Sequence, residues 1–298
     1  MNPIAERILA TLVPVLLIVL TGVIYAHYKK PDMRATNVLN MDLLVPFLIF
    51  SALGNAQIDL HSYLPLALGA LAIMLLSGIL AYPFNRALGY DYRTFLPPIM
   101  FPNTGNLGLP LVLLAYGSNA MPAAAVVFVM SMVLHFTLGF YMLDRHAKVL
   151  NSTSLPTLIA SVAALCVNLL EIPVYSEVTT ATEMLGQACV PLMLFSLGVR
   201  MHTVKLNDLP IALWVAMLSP IIGIALAFAL QPLLQLNTQD FAVFVVFGAL
   251  PPAVLNFMVA ERYNQEPAKV ASIVLISNMF ALLWMPVAFV ITPGFATL

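Results

Sequence analysis

Ten apolar segments, each roughly as long as a bilayer is thick, constrain this chain more than any other feature of its sequence. A helix needs about 20 mostly apolar residues to cross the hydrocarbon core of a membrane. The segments, numbered 1 to 10, cover approximately residues 5–27, 36–54, 62–84, 92–116, 121–143, 154–172, 182–200, 208–231, 239–262 and 267–293. Only 8% of the 298 residues are charged and 61% are hydrophobic, whereas soluble domains carry about a quarter charged residues. The sequence therefore predicts an all-α polytopic membrane protein with ten transmembrane helices in a single domain over residues 1–298.

The positions of Lys and Arg support this count. If ten segments cross the membrane and the loops alternate sides, Arg7 lies alone on one side. The other eleven lie on the opposite side: Lys29, Lys30, Arg34, Arg86, Arg93, Arg145, Lys148, Arg200, Lys205, Arg262 and Lys269. Because cytoplasmic loops carry the excess of Lys and Arg, we expect both termini on the periplasmic or extracellular side. The net charge of −1 predicts no nucleic-acid partner.

An internal repeat relates the two halves of the chain. Pairs that include Pro or Ser recur 145 residues later: Val45-Pro46 and Val190-Pro191, Phe50-Ser51 and Phe195-Ser196, Leu64-Pro65 and Leu209-Pro210, Pro122-Ala123 and Pro267-Ala268. Five helices per half is an odd number, so the repeats 1–145 and 150–298 are expected to insert with opposite topology. Inverted repeats of this kind are typical of secondary transporters, which bind their substrate near the midplane. Chance matches between apolar segments are the alternative.

The run Phe101 to Pro110, in the middle of segment 4, contains two Pro, two Gly, two Asn and one Thr. Each Pro removes a backbone donor, and polar backbone groups at membrane depth must be met by protein, water or a ligand. We therefore expect a broken helix, with half-helix ends whose free amides suit a carboxylate. A kinked helix that packs through Gly is the alternative, above all for Gly108 and Pro110. Segment 9 has a similar break, and the match of Leu96-Pro97-Pro98 with Leu250-Pro251-Pro252 places Pro102 opposite Asn256.

These motifs resemble a known family. Pro102-Asn103-Thr104, Gly108-Leu109-Pro110-Leu111 and Tyr116-Gly117 resemble the fourth span of the auxin efflux carrier family, and Leu194 to Gly198 resembles its seventh span. The ninth span is similar at Leu250-Pro251, Phe257, Ala260 and Tyr263-Asn264. The family includes the plant PIN auxin carriers and bacterial permeases for malate and malonate.

The resemblance implies that helices 4 and 9 cross at their breaks beside the substrate. It also implies a scaffold of helices 1, 2, 6 and 7, mobile transport helices 3–5 and 8–10, and a homodimer formed through the scaffold. Two features depart from the plant carriers. Asn256 stands where they have the crossover Pro of the ninth span, and about ten residues, 144–153, replace their long central loop. The short connection favours a protein of the bacterial inner (plasma) membrane.

The site expected from these motifs is polar but uncharged. Its expected substrate-binding residues are Asn103, Thr104, Gly105, Asn106, Asn256, Ser51 and Ser196, with the helix breaks made by Pro102, Pro110, Pro251 and Pro252. His135 and Asp42 are candidates for proton or ion coupling. Each also has a structural interpretation. His135 would be a histidine hydrogen-bonded to a neighbouring helix, and Asp42 would be a helix-end residue at the membrane interface. We expect no cofactor and no metal.

The predicted function is secondary active or potential-driven transport of small organic anions, such as mono- or dicarboxylates and auxin-like acids, by alternating access. Two alternatives remain: a sodium- or proton-coupled antiporter or symporter of the same fold, and a carboxylate sensor that does not transport. Segments 4 and 5 contain no pair of acidic residues, which weakens the antiporter alternative. The chain has no Gly-x-Ser-x-Gly or His-Glu-x-x-His motif, so we predict that it is not an enzyme.

Overall fold

The computed structural model describes residues 3–54, 59–144, 155–203, 208–292 and 295. These ranges contain fourteen α-helices: α1 (Pro3–Lys29), α2 (Arg34–Leu39), α3 (Val45–Leu53), α4 (Leu64–Leu88), α5 (Tyr92–Met100), α6 (Leu109–Tyr116), α7 (Met121–Leu134), α8 (Phe140–Leu143), α9 (Leu155–Leu169), α10 (Ser176–Thr203), α11 (Leu209–Leu234), α12 (Thr238–Ala249), α13 (Val254–Arg262) and α14 (Pro267–Ile291). Three π-helical segments, Asn40–Leu44, Thr104–Gly108 and His135–Gly139, lie between some of them.

The structure confirms an all-helical protein with several membrane-length helices. Within the described ranges, seven helices are long and apolar enough to cross a membrane. Three further apolar helices are shorter, namely Thr104–Tyr116, Leu155–Leu169 and Thr238–Ala249. The count of ten spans and the inverted symmetry of the halves remain predictions. The predicted orientation partly rests on Arg145, Lys148 and Lys205, which lie outside the described residues, as do residues 145–153 of the short central connection.

Segments 4 and 9 are each interrupted where the sequence places Pro. Phe101 precedes Pro102 and has φ −113° and ψ 91°, and Leu250 precedes Pro251 and has φ −62° and ψ 143°. Both conformations are extended because a following Pro disfavours the helical region. Helices α5 and α13 have nine residues each, which gives a length of about 14 Å at 1.5 Å per residue. Each is therefore about half as long as the ~30 Å hydrocarbon core is thick.

Glycine permits very close contact between two pairs of helices. A Cβ atom at Gly198 of α10 would lie 2.0 Å from the carbonyl oxygen of Val19 in α1. Likewise, a Cβ at Gly223 of α11 would lie 1.9 Å from the carbonyl oxygen of Gly248 in α12. No side chain larger than hydrogen fits at such separations, so the two backbones are in direct contact.

The helices pack in two groups. Helix α10 packs against α1 and α3, and α3 packs against α9. In the second group α4 packs against α5, α7 and α11, and α11 packs against α12 and α14. The π-helical segment Thr104–Gly108 connects the groups, because it contacts both α10 and α7.

Candidate functional site

The two helix breaks meet at one point, which we call the crossover and define as residues 101–103 and 251–253. Pro102 and Pro252 form an isolated antiparallel bridge. The backbone N–H of Asn103 donates to the carbonyl of Pro251 at 2.7 Å, and the N–H of Ala253 donates to the carbonyl of Phe101 at 2.9 Å. Two helices that are each discontinuous thus supply each other with backbone hydrogen bonds inside the protein.

Three Asn side chains complete the hydrogen bonding of the crossover. The Asn103 side chain donates to Oδ1 of Asn278 in α14 at 3.0 Å. Asn278 in turn donates to the carbonyl of Pro252 at 3.2 Å and to that of its own helix residue Val274 at 2.8 Å. Asn256 donates to the carbonyls of Phe101 and Ala253, both at 3.0 Å. All three amides are buried, so the carbonyls of Phe101, Pro252 and Ala253 at the two breaks are met by side chains rather than by lipid.

The predicted alignment of the two breaks is wrong in register. Sequence comparison placed Pro102 opposite Asn256, but the bridge partner of Pro102 is Pro252, 150 residues further along the chain. Asn256 instead lies in the first turn of α13 and donates to the carbonyl of Phe101, which precedes Pro102. The match of Pro97-Pro98 with Pro251-Pro252 was misleading because Pro97 and Pro98 lie inside α5, before its end.

The residues after Asn103 lie on the second half of the broken helix. Thr104 is buried and, with Gly108, lines a cavity of about 10 Å³. Gly105 faces the Phe128 ring, since a Cβ there would lie 3.0 Å from Cε2. Asn106 is half-buried. Pro110 is buried where the π-helical segment Thr104–Gly108 passes into α6, and because Pro has no N–H it cannot donate to a carbonyl of the preceding turn.

Two predicted binding residues make their hydrogen bonds elsewhere. The Ser51 hydroxyl donates to the carbonyl of Leu48 within α3 at 3.0 Å. The Ser196 hydroxyl donates to Oδ1 of Asn37 in α2 at 2.6 Å. Within the described part of the chain, neither serine hydrogen-bonds to a crossover residue.

The two candidate coupling residues differ in their surroundings. The buried His135 ring stacks on the Phe101 ring, with 4.3 Å between centroids and 10° between planes. A Cβ at Gly139 would lie 2.7 Å from His135 Cδ2, so glycine makes room for the stack. His135 and Asn256 line one small cavity. Asp42 is exposed in the π-helical segment Asn40–Leu44.

Sequence reasoning missed Asn278 and Arg200. Both line a cavity of about 60 Å³ between α10, α13 and α14. The signal for Asn278 was present, because an amide in the middle of an apolar segment needs a partner inside the protein. Arg200 was counted as a charge at the end of segment 7, but α10 continues to Thr203. The expected site was polar but uncharged, whereas the residues that line this cavity include the cation Arg200.

A second set of polar contacts joins the start of α5 to the loop before α14. The Thr94 hydroxyl donates to Glu266 Oε2 at 2.7 Å, and Lys269 forms an ion pair with Glu266 Oε1. The hydrogen bonds from Lys269 and Thr94 lower the pKa of the Glu266 carboxyl below its ordinary value. The first half of broken segment 4 is therefore attached to the α13–α14 region at both of its ends.

Discontinuous helices that cross inside an all-helical membrane protein are typical of membrane transport proteins, and that is the class that the fold and the crossover indicate. The chain belongs to the membrane transport protein family, whose sequence profile matches residues 7–155 and 149–289. The predicted resemblance to the auxin efflux carriers is thereby confirmed.

Two archaeal relatives are similar over nearly their whole length. An uncharacterized transporter of Methanothermobacter thermautotrophicus is 25% identical over 293 residues, which cover 93% of this chain and 95% of the relative. An uncharacterized transporter of Methanocaldococcus jannaschii is 23% identical over 290 residues, covering 90% and 94%. The family and the apolar helices together support a multi-pass membrane protein of a transport family.

Proposed function

We propose that the protein is a ten-helix transporter of small organic anions that works by alternating access at the crossover. The observation that carries the proposal is the buried meeting of two helix breaks, Phe101 to Asn103 and Pro251 to Ala253. Backbone that is not helical is tolerated at membrane depth only inside protein or beside a cavity. Transporters built from inverted repeats place their substrate at such breaks.

The packing supports a division into two bodies. Helix α1, the α2–α3 unit, α9 and α10, which correspond to segments 1, 2, 6 and 7, pack mainly on one another, with backbone contact at Gly198. We propose these as the fixed scaffold and segments 3–5 and 8–10 as the moving part. Between the two bodies lies the half-helix that begins at Thr104, and its motion relative to α10 would open and close the site.

Assembly and coupling are further parts of the proposal. The family resemblance favours a homodimer through the scaffold in the plasma membrane, and light scattering of the purified protein should then give the mass of two chains. A proton or sodium ion would couple uptake of an anion against the membrane potential, which opposes anion entry by about 2.3 kcal/mol per charge per 100 mV. Of the two candidates, His135 has the better support, because it stacks on the crossover residue Phe101.

The test is flux into proteoliposomes that contain the purified protein. A panel of radiolabelled mono- and dicarboxylates should include at least one that enters faster than into empty liposomes. Asn103→Ala should abolish that flux, since it removes the hydrogen bond to Asn278. Asn85→Ala is the matched control, because Asn85 is a similarly buried amide in α4. Equal flux in wild type and Asn103→Ala would exclude the crossover as the transport site, and no flux of any carboxylate would exclude the substrate class.

A further inference from the structure

From the cavity between α10, α13 and α14, we infer that the anion transported under the proposed function is a short monocarboxylate, bound through its carboxylate to Arg200. The inference rests on that proposed function and adds a substrate class and a binding residue to it. The proposed binding site is the cavity of about 60 Å³ that Arg200 and Asn278 both line.

The cavity extends from a charged end to the crossover. Its wall on α14 includes Ala271, Val274, Leu275 and Asn278. Seven residues of helix span about 10 Å, so Ala271 and Asn278 lie about that far apart along the wall. Arg200 lies in the last turn of α10. A carboxylate paired with Arg200 leaves its carbon chain free to lie along this apolar wall.

The residues that line the cavity favour a ligand with a single negative charge and an apolar carbon chain. Arg200 is the charged residue among the side chains that line the cavity, and the remaining lining is apolar apart from Asn278. A guanidinium binds a carboxylate through two parallel hydrogen bonds. A second carboxylate on the same ligand would leave water to lie against Val254, Phe257 or Leu275, and burying a charge without a partner is costly.

The volume limits the length of the ligand. A cavity needs about 10–15 Å³ per water molecule by the same kind of measure, so about 60 Å³ accommodates roughly four to six water-sized groups. This space matches acetate, propionate or butyrate. An aromatic acid of auxin size exceeds this volume and would extend beyond the cavity.

The far end of the cavity is continuous with the crossover. Asn278 lines the cavity and at the same time accepts from Asn103 and donates to the carbonyl of Pro252. Val254, another lining residue, is the first residue of α13 and directly follows the crossover. A ligand in the cavity therefore touches the residues that hold the two breaks together, which places binding next to the part proposed to move.

Glu261 provides an independent test of whether the positive charge of Arg200 binds the carboxylate. Its carboxylate lies on α13 close enough to attract the Arg200 guanidinium, and its residue is exposed. A bound carboxylate has to share Arg200 with Glu261. Removing the Glu261 charge should therefore strengthen binding, whereas removing the Arg200 charge should weaken it.

The experiment measures propionate binding and uptake with four forms of the full-length protein. Wild type should be stabilised against thermal unfolding by propionate and should take up radiolabelled propionate in proteoliposomes. Arg200→Gln should raise the Kd for propionate at least about tenfold, as expected for the loss of a charged hydrogen bond. Glu261→Gln should lower the Kd. Arg262→Gln is the matched control, since Arg262 is an exposed cation on α13 outside the cavity lining.

Competition defines the substrate class. Excess acetate or butyrate should inhibit propionate uptake, and excess succinate should not. The inference is overturned if succinate competes as well as butyrate, or if Arg200→Gln binds propionate as tightly as wild type.

If Arg200→Gln does not fold, the binding affinities of Arg200→Lys and Glu261→Gln decide. Arg200→Lys keeps the charge but loses the paired geometry, so its affinity should be intermediate, and an unchanged affinity in both variants refutes the assignment. Uptake of other carboxylates without dependence on Arg200 would overturn this inference alone, whereas no uptake of any carboxylate would overturn the proposed function as well.

Discussion

At the scale of single residues, Asn103 and Asn278 are the central pair. They lie 175 positions apart in the chain and share a buried hydrogen bond of 3.0 Å. Asn278 also supplies the donor for the carbonyl of Pro252. Because both amides are buried, neither can replace its lost partner with water at low cost. The stability of the crossover and the function proposed for it should therefore depend on the two residues together.

We expect Asn278→Ala to destabilise the protein by about 1–3 kcal/mol, the cost of a buried donor or acceptor left without a partner. The double variant Asn103→Ala/Asn278→Ala should be less destabilised than the sum of the single variants, because residues that share a hydrogen bond are not additive. Thermal unfolding of the four proteins in one detergent measures both effects. Strictly additive losses would show that the two amides are not coupled.

The sequence predicted part of the site, for reasons specific to each residue. Pro102, Pro251 and Pro252 were found because Pro has a local effect on the backbone. Asn278 was missed because an amide within an apolar segment indicates only that a partner lies inside the protein, and its partners, Asn103 and Pro252, lie outside its own helix. Ser51 and Ser196 occupy matching positions of the repeat, yet their hydroxyls bond to Leu48 and Asn37. A repeat records similar helix packing as readily as a shared binding role.

At the scale of elements, the backbone contact between α11 and α12 fixes the first half of broken segment 9. Gly248 is the penultimate residue of α12. It lies two residues before Leu250, where the chain turns towards the crossover. Its carbonyl oxygen is in contact with Gly223. The position of the break is thus set by an adjacent long helix as well as by its own Pro residues.

We expect Gly223→Ala to lower both thermal stability and transport. Its Cβ would lie 1.9 Å from the Gly248 carbonyl oxygen, and backbone atoms cannot yield as a flexible side chain can. The helices must separate, and the end of α12 would move with them. Leu233→Ala is a suitable control on the same helix, because Leu233 is 79% exposed. A Gly223→Ala protein with wild-type melting temperature and flux would contradict the expected role of this contact.

Element boundaries show where local patterns succeed and where they fail. Each of the ten predicted segments coincides with helical structure in the described ranges, because apolar length is a strong signal. The π-helical segments at Asn40–Leu44 and His135–Gly139 were not predicted. The first contains the buried Asn40, and the second begins at His135, which stacks on the distant Phe101.

At the scale of the whole molecule, the distribution of Lys and Arg predicts the orientation. Eleven of twelve lie on one side if the chain crosses ten times. That side should be the cytoplasm. The count matters because one span more or fewer would reverse the location of the C-terminus relative to the N-terminus.

Reporter fusions measure the orientation. Alkaline phosphatase fused to the C-terminus should be active, and green fluorescent protein fused there should be dark, because we expect this end outside the cytoplasm. A fusion after residue 148, in the predicted cytoplasmic connection, should give the opposite pair of results and serves as the internal control. A fluorescent C-terminal fusion would refute the ten-span topology.

The crossover also has a consequence for biogenesis. Phe101 and Asn103 take their backbone partners from Ala253 and Pro251, about 150 residues later in synthesis. At roughly 5–20 residues per second, a ribosome needs on the order of 8–30 s to reach them. For that interval the fourth segment is already made but has no partner for its break, in a membrane where unmet backbone groups are costly. The speed of translation therefore sets how long the first half of this protein must stay in the membrane with its helix break unpaired.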